Sequence, residues 1–324
     1  MYGGYRYFWG GDAPPSTTAV SNGTAERDAS PDWLAADTGG GPTAPAAAPA
    51  TDPAKIGSLL SEARRALSSN EDQGASMLDQ VLAQDPRGAM GKEAAQLLLP
   101  IAARKGLVRR EITLKWRLGQ MDGDAWKKLD DANAAVLTPQ RLSKDPETSF
   151  CVVAGGDSLE KIAKARGTTV DLIQRLNGRP ENDTTIHPGD RLKILPVRGR
   201  VSIEVRKSEF CACLLYDGNL LKKYRVGIGL GDLTPEGEFK IATRLKNPDW
   251  WRDGKMIPYG DPENILGTRW LGFDKPLQKF ALHGTSHPET IGKKASNGCI
   301  RMENKDVEEM YAFTPPGAVV WIVP

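Results

Sequence analysis

The sequence predicts a multidomain chain: an N-terminal disordered segment, a small α-helical region, a β-α-α-β module, and a mainly-β, sandwich-like C-terminal domain. Three observations lead there. Residues 1–53 are dominated by Gly, Ala, Pro, Ser, Thr and Asp and end in GGGPTAPAAAPATDP. Apolar residues then recur at helical spacing as far as about residue 142. From Arg200 to the end, short β-runs alternate with Gly, Pro and Asn turns. A chain of 324 residues is also too long for one ordinary hydrophobic core.

The first segment buries too little apolar area to offset its ordering entropy, which predicts a disordered linker over 1–53. Its start, MYGGYRYFWGGD, has no basic stretch followed by an apolar one, so it does not read as a signal peptide. No run of about 18 apolar residues predicts a transmembrane segment. The formal net charge of +2 lacks the basic excess or Lys/Arg block that nucleic acid or an anionic membrane would select.

Over 54–142 the pattern is helical. Leu59, Leu60, Ala63 and Leu67 share a face, MLDQVLAQDP follows, and KEAAQLLLPIAARKGL makes a third helix that Pro100 should kink or end. The first hairpin with its closing Asp-Pro resembles a tetratricopeptide unit, but no second copy follows at the required period. A small bundle is the expectation.

Residues 149–196 change character. A β-run (Phe150 to Val153) enters Gly155-Gly156-Asp157-Ser158, where Ser158 caps a helix carrying Leu159, Ile162 and Ala163. Thr168 or Thr169 opens a second helix, and Pro188-Gly189-Asp190 turns into a closing strand, Leu192 to Leu195. GDSL, the GTT before the second helix, Asn177 after it and HPGDRLKI together resemble the LysM module. That resemblance implies binding of N-acetylglucosamine-containing glycans, with Gly156, Asp157, Ser158, Asn177 and Pro188 as glycan-binding candidates. His187, with no partner motif, reads as a surface turn residue.

In 199–324, VSIEVRKSEFCACLLYDGNLLKKYRVGIG reads as a three-strand meander with Tyr216-Asp217-Gly218-Asn219 as a hairpin turn. GEFKIATRL, RWLGF, KFALHG and AVVWIVP add strands, and Asn304 to Phe313 is the one good helix. Five or more strands at this spacing imply a β-sandwich or a barrel-like sheet.

Cys151, Cys211, Cys213 and Cys299 make no disulfide framework. Zinc would need a second ligand pair near Cys211 and Cys213, so no metal is expected and those two, with Cys151, read as small core residues. Cys299 differs. Gly298 gives the backbone before it freedom to expose the thiol and to point amides at a reacting carbonyl oxygen. His283, 16 positions earlier at the end of a strand, is a suitable base, and imidazole pairing would raise the thiolate fraction. Arg301 could hold a carboxylate or a developing oxyanion. Between the RWLGF strand and its predecessor lies NPDWWRDGKMIPYGDPEN, long enough to be a lid. Trp250 or Trp251 would then pack on substrate; the plainer alternative is that both only anchor the loop to the sheet.

Several separate pieces of this domain resemble the L,D-transpeptidase catalytic domain: Thr234-Pro235-Glu236-Gly237-Glu238-Phe239, Leu266-Gly267-Thr268-Arg269-Trp270, His283-Gly284-Thr285, Ile291-Gly292 and Ser296-Asn297-Gly298-Cys299-Ile300-Arg301-Met302. The resemblance implies a cofactor-free cysteine acyltransferase acting on peptidoglycan stem peptides in the periplasm or cell envelope. By it, Cys299 attacks the carbonyl before a terminal D-Ala, His283 takes the thiol proton, and Gly298 and Cys299 amides form the oxyanion site. Ser296 and Arg301 are neighbours that orient substrate or hold structure. Trp250, Trp251, Trp270, Asn297 and Thr285 are substrate-binding candidates. Many members have His where this chain has Asn297, which removes a second proton carrier unless His287 replaces it; His287, before Pro288, reads as a surface residue. The expected partners are a tetrapeptide donor, an amine acceptor and, through a tethered LysM module, the glycan. The alternatives are an L,D-carboxypeptidase with water as acceptor and an inactive peptidoglycan-binding scaffold, against which the intact Cys299, His283, Gly298 and Arg301 argue.

Overall fold

The computed structural model describes residues 52–137, 149–252 and 254–324. The linker expected over 1–53 therefore lies almost wholly outside the described residues, as do residues 138–142 of the helical region.

Five helices open the described chain: α1 (Pro53–Ser69), α2 (Glu71–Gln84), α3 (Ala89–Arg104), α4 (Val108–Arg117) and α5 (Gly123–Leu137). Short polar side chains start the first two. Asp52 accepts from the Ala54 amide at 3.0 Å and Asn70 from the Gln73 amide at 3.1 Å. Ile56, Leu60, Ala63, Leu78, Val81, Ala94 and Leu98 pack α1–α3 together. Pro100 neither ends nor interrupts α3, contrary to expectation. The carbonyl that Pro100 leaves without an intrahelical donor belongs to Gln96, and both residues are exposed, so water can satisfy it.

Helices α4 and α5, which the sequence pattern did not separate, cover the outside of the β-domain. Ile112, Trp116 and Leu129 pack on Cys211, Cys213, Leu215 and Leu220. Asn133 donates to the Leu220 and Leu221 carbonyls at 3.2 and 2.9 Å, and Thr113 accepts from the Leu220 amide at 2.9 Å.

The β-α-α-β module forms as expected: β1 (Ser149–Val152), α6 (Leu159–Arg166), α7 (Val170–Leu176) and β2 (Arg191–Ile194), with β1 antiparallel to β2. Ser158 and Thr169 accept from the Lys161 and Leu172 amides as helix caps. One face of the module closes its own small core around Leu159, Ile162, Ile173 and Leu192. Its other face is buried against the β-domain: Leu172, Leu176, Leu195 and Val197 belong to that domain's core. Asp171 pairs with Arg244 and Lys246, and Arg175 with Glu309. The module is thus docked, not merely tethered.

The C-terminal domain comprises β3 (Val201–Arg206), β4 (Cys211–Tyr216), β5 (Asn219–Gly229), β6 (Gly237–Lys246), β7 (Trp250–Arg252), β8 (Lys255–Ile257), β9 (Arg269–Phe273), β10 (Ala281–His283), β11 (Lys294–Ser296), β12 (Ile300–Met302), α8 (Asn304–Phe313) and β13 (Val319–Val323). Strands run β11-β5-β12-β10-β9-β6-β13-β3-β4, and β4 also pairs with β5. The sheet therefore closes on itself as a barrel-like layer, with β5 long enough to serve both ends. Asp217 (φ 46°) and Gly218 (φ 71°) turn the predicted β4–β5 hairpin. The unbroken apolar run of β4 follows from burial on both sides: Ala212, Leu214 and Tyr216 face the barrel core, Cys211, Cys213 and Leu215 the helices. Val307, Met310 and Phe313 of α8 complete that core.

Candidate active site

The turn between β11 and β12 carries the cysteine. Ser296 is buried; its hydroxyl donates to the Cys299 carbonyl at 2.6 Å and accepts from the Gly298 amide at 3.1 Å. Gly298 has φ 118°, a conformation that favours glycine. Its carbonyl accepts from Thr234 Oγ1 at 2.9 Å, while Thr234 Oγ1 accepts from the Gly229 amide at 2.7 Å. Both polar groups of Gly298 are thereby held by side chains. The expectation of a two-amide oxyanion site is corrected accordingly: the Gly298 amide is turned into the protein toward Ser296, and Cys299 N–H is the member of the pair that Ser296 does not engage. Asn297 is exposed on this turn.

Thr234 was visible in the sequence only as part of a motif, with no role. Its hydroxyl is fully used as a latch between the end of β5 and the cysteine turn. Lys207 backs the latch, its ammonium 3.5 Å from the Thr234 carbonyl and 2.7 Å from Glu236. A Thr234→Val variant keeps the shape but leaves the Gly229 amide and Gly298 carbonyl buried without this partner. It should lose roughly 2–4 kcal/mol of stability in denaturant melts and react more slowly at Cys299.

The candidate base comes from the neighbouring strand. β10 runs parallel to β12 with Leu282 opposite Ile300 and His283 opposite Arg301, and antiparallel to β9 with His283 opposite Trp270. Opposed residues share a sheet face, so Trp270, His283 and Arg301 stand side by side. Cys299, two residues before Arg301, falls on that face beside Ala281. Trp270 stacks on the His283 ring at 5.6 Å with 20° between planes. His283 Nδ1 donates to the Gly284 carbonyl at 2.5 Å, which leaves Nε2 with the lone pair.

Burial works against charge on either group. Burial pushes the His283 imidazole down to about 4, against the carbonyls of Gly284 and Leu266 and with the help of the Arg301 charge. Burial pushes the Cys299 thiol up to about 11; the Ala281 backbone and Arg301 pull the other way. The sulfur lies 3.8 Å from the Lys279 carbonyl. Both shifts favour the uncharged form of each group. Such an arrangement moves the proton during attack rather than before it.

The long insertion folds as the β7–β8 hairpin, and pleating separates its two tryptophans. Trp250 is buried with Ile257, Leu266, Trp270 and Ala281, and Cys299 packs against this cluster. Trp251 points to the opposite, solvent face beside Met256 and away from the Cys299 cluster. Thr285 is also buried and accepts from the His287 amide at 3.0 Å, bracing the segment after the base instead of presenting a free hydroxyl. His287 is exposed and lies 3.3 Å from Glu289.

Among the glycan-binding candidates, Gly156 and Pro188 are exposed on loops that the Gly189–Val153 and Val153–Asp190 backbone bonds bring together. Asp157 accepts from the Ala154 amide and Ser158 caps α6. Asn177 has a structural task that the sequence did not show: its amide donates to the Ile173 and Lys193 carbonyls and accepts from the Lys193 amide, so it staples α7 to β2 with both of its N–H donors used. His187 is an exposed turn residue. No described helix is long and apolar enough to cross a membrane.

Comparison with known proteins shows the family. The family model of the YkuD L,D-transpeptidase catalytic domain matches residues 200–322, and that of the LysM domain residues 151–195. YkuD of Bacillus licheniformis, named as an L,D-transpeptidase, is 36% identical over 181 residues, 53% of this chain and 97% of that protein. YqjB of Bacillus subtilis, similarly named, is 37% identical over 131 residues, 39% of this chain and 73% of that protein. An L,D-transpeptidase structure from Mycobacterium smegmatis aligns with 17% identity and a TM-score of 0.34; the alignment covers 42% of this chain and 64%, just under two thirds, of that one.

Proposed function

The chain belongs to the L,D-transpeptidase family and carries a LysM module, and on that premise we propose that it forms 3→3 cross-links in peptidoglycan through a thioester on Cys299. What supports this reading is the placement of His283 at the end of β10 and Cys299 at the start of the adjacent parallel β12, with Trp270 opposite His283 and Cys299 packed against the Trp250–Trp270 cluster. Cys299 sulfur attacks the carbonyl carbon between the third stem residue and its terminal D-Ala, while His283 takes the thiol proton. The C–N bond then breaks, and the proton goes to the departing D-Ala amine. An amine of a second stem attacks the thioester, gives its proton to His283, and the sulfur leaves and is reprotonated.

Each step exchanges one acyl bond for another, so the chain's own residues suffice. Arg301 favours negative charge at the sulfur and keeps the imidazole unprotonated, both of which suit attack by a neutral pair. The docked LysM module would hold the glycan at a fixed distance from Cys299, which suits a substrate whose stems project from the same strand. The site of action is the cell envelope, on the periplasmic side, where that substrate lies.

Purified protein incubated with disaccharide-tetrapeptide should release D-Ala and form dimers visible by mass spectrometry, with Cys299→Ala inert. A carbapenem should add once per chain, and only when Cys299 is present. Tripeptide without dimers would instead mean water as acceptor, and an adduct undiminished in Cys299→Ala would remove the nucleophile assignment.

A further inference from the structure

The docked module reaches β9, the strand paired with the one that carries His283. Arg269 of β9 is buried, and a guanidinium taken out of water needs a counter-charge. Its Nη2 donates to Glu181 Oε2 at 2.5 Å, its Nη1 to the Thr268 carbonyl at 2.6 Å, and it lies 5.5 Å from the centre of the Tyr311 ring. Among the described residues, Glu181 is the carboxylate that pairs with it. Glu181 belongs to the LysM module, in the loop between α7 and β2. Buried Gln174 braces that loop by donating to the Glu181 and Asp183 carbonyls at 2.6 and 3.0 Å. Lys246 of β6 adds a second bond to Glu181, at 2.8 Å.

From Arg269 two short paths lead to the imidazole. The Arg269 carbonyl accepts from the Gly284 amide at 3.1 Å, and the Gly284 carbonyl in turn accepts from His283 Nδ1. Next in sequence after Arg269 is Trp270, whose ring stacks on His283. We propose that Glu181 is a positioning residue for His283: its carboxylate keeps Arg269 buried, and Arg269 sets both the carbonyl that orients the ring and the indole that stacks on it. The LysM module then contributes to the chemical step as well as to glycan binding. This rests on His283 being the base.

The test uses the full chain with three single variants. Glu181→Gln removes the charge, Glu181→Asp keeps it, and Asp171→Asn breaks the Arg244 and Lys246 pairs of the same interface without touching Arg269. The primary readout is the NMR titration of the His283 ring, which requires no turnover. In Glu181→Gln that ring should titrate nearer the ordinary imidazole range, as a loosened ring meets water. Glu181→Asp and Asp171→Asn should stay near wild type. Carbapenem acylation, a reaction with no glycan for the module to bind, should slow by about tenfold in Glu181→Gln alone. Sedimentation with peptidoglycan should be unchanged. An unmoved His283 titration in Glu181→Gln, or an equal movement in Asp171→Asn, overturns the proposal. A wild-type protein that no carbapenem acylates would instead defeat the functional reading, with the titration still deciding the role of Glu181.

Discussion

Replacing His283 with asparagine should slow carbapenem acylation of Cys299 by about a thousandfold at neutral pH. Asparagine can still donate to the Gly284 carbonyl, as His283 Nδ1 does, but it cannot take a proton. The size of the loss follows from the thiol. With burial holding Cys299 up at about 11, the thiolate is only on the order of 10⁻⁴ of the protein at pH 7. With His283 as the proposed base, the wild type would not depend on that fraction, because the imidazole would remove the proton during attack. The variant does, so its rate should climb about tenfold for each pH unit toward the thiol's own value. The wild-type rate should stay level down to the point where the imidazole is protonated, at about 4 rather than near 6.5. Intact-mass time courses at pH 5, 7 and 9 separate the two profiles. A variant whose rate does not change with pH would mean that another group takes the proton.

The same displacement makes stability depend on pH. His283 in the unfolded chain binds a proton as pH falls below the ordinary imidazole value, whereas the folded chain refuses it until about 4. Stability from this group is therefore complete above pH 6.5 and lost as pH falls through the interval between the two values, by roughly 3 kcal/mol. His283→Asn should flatten that part of the profile in denaturant melts. Such a result would tie the acid sensitivity of the fold to the residue proposed to take the thiol proton.

How much of this was legible in the sequence depended on whether a feature was local. The β4–β5 hairpin, the caps at Ser158 and Thr169 and the helix Asn304 to Phe313 are written in adjacent residues, and they form where the pattern puts them. Cys299 and His283 stood out because turn glycines and strand ends surround them. What escaped were features decided by distant neighbours. Pro100 stays helical because its side of α3 meets water, which a one-dimensional pattern does not record. Trp250 and Trp251 look equivalent in sequence; only the pleat of a hairpin assigns one to the site and the other to solvent. Asn177 was read as a ligand for sugar; the staple that its amide makes between α7 and β2 was not legible. Desolvation is likewise unwritten in a linear sequence: pairing with imidazole favours a thiolate, whereas burial pushes the Cys299 thiol up.

Gly298→Ala should cost at least about a hundredfold in acylation, although alanine adds only a single methyl group that neither gives nor takes a proton. A Cβ at this position would lie 2.2 Å from Phe280 Cε1 and 2.7 Å from the Leu233 carbonyl oxygen. The phenyl ring can rotate away; the carbonyl, fixed in the main chain beside Thr234, cannot. The φ of 118° adds strain of order 1–3 kcal/mol for any residue with a side chain. Relief requires the turn to move, and moving it breaks the bonds from Thr234 to the Gly298 carbonyl and from the Gly298 amide to Ser296. Those bonds set where Cys299 points, so the displacement is transmitted to the sulfur. Strain alone can be separated from displacement with Gly218→Ala, at φ 71° in the β4–β5 turn, where an added Cβ meets nothing within 4 Å. Both variants should melt several degrees below wild type, but only Gly298→Ala should lose acylation. Equal acylation in the two would show that the latch around Gly298 holds the fold and not the nucleophile.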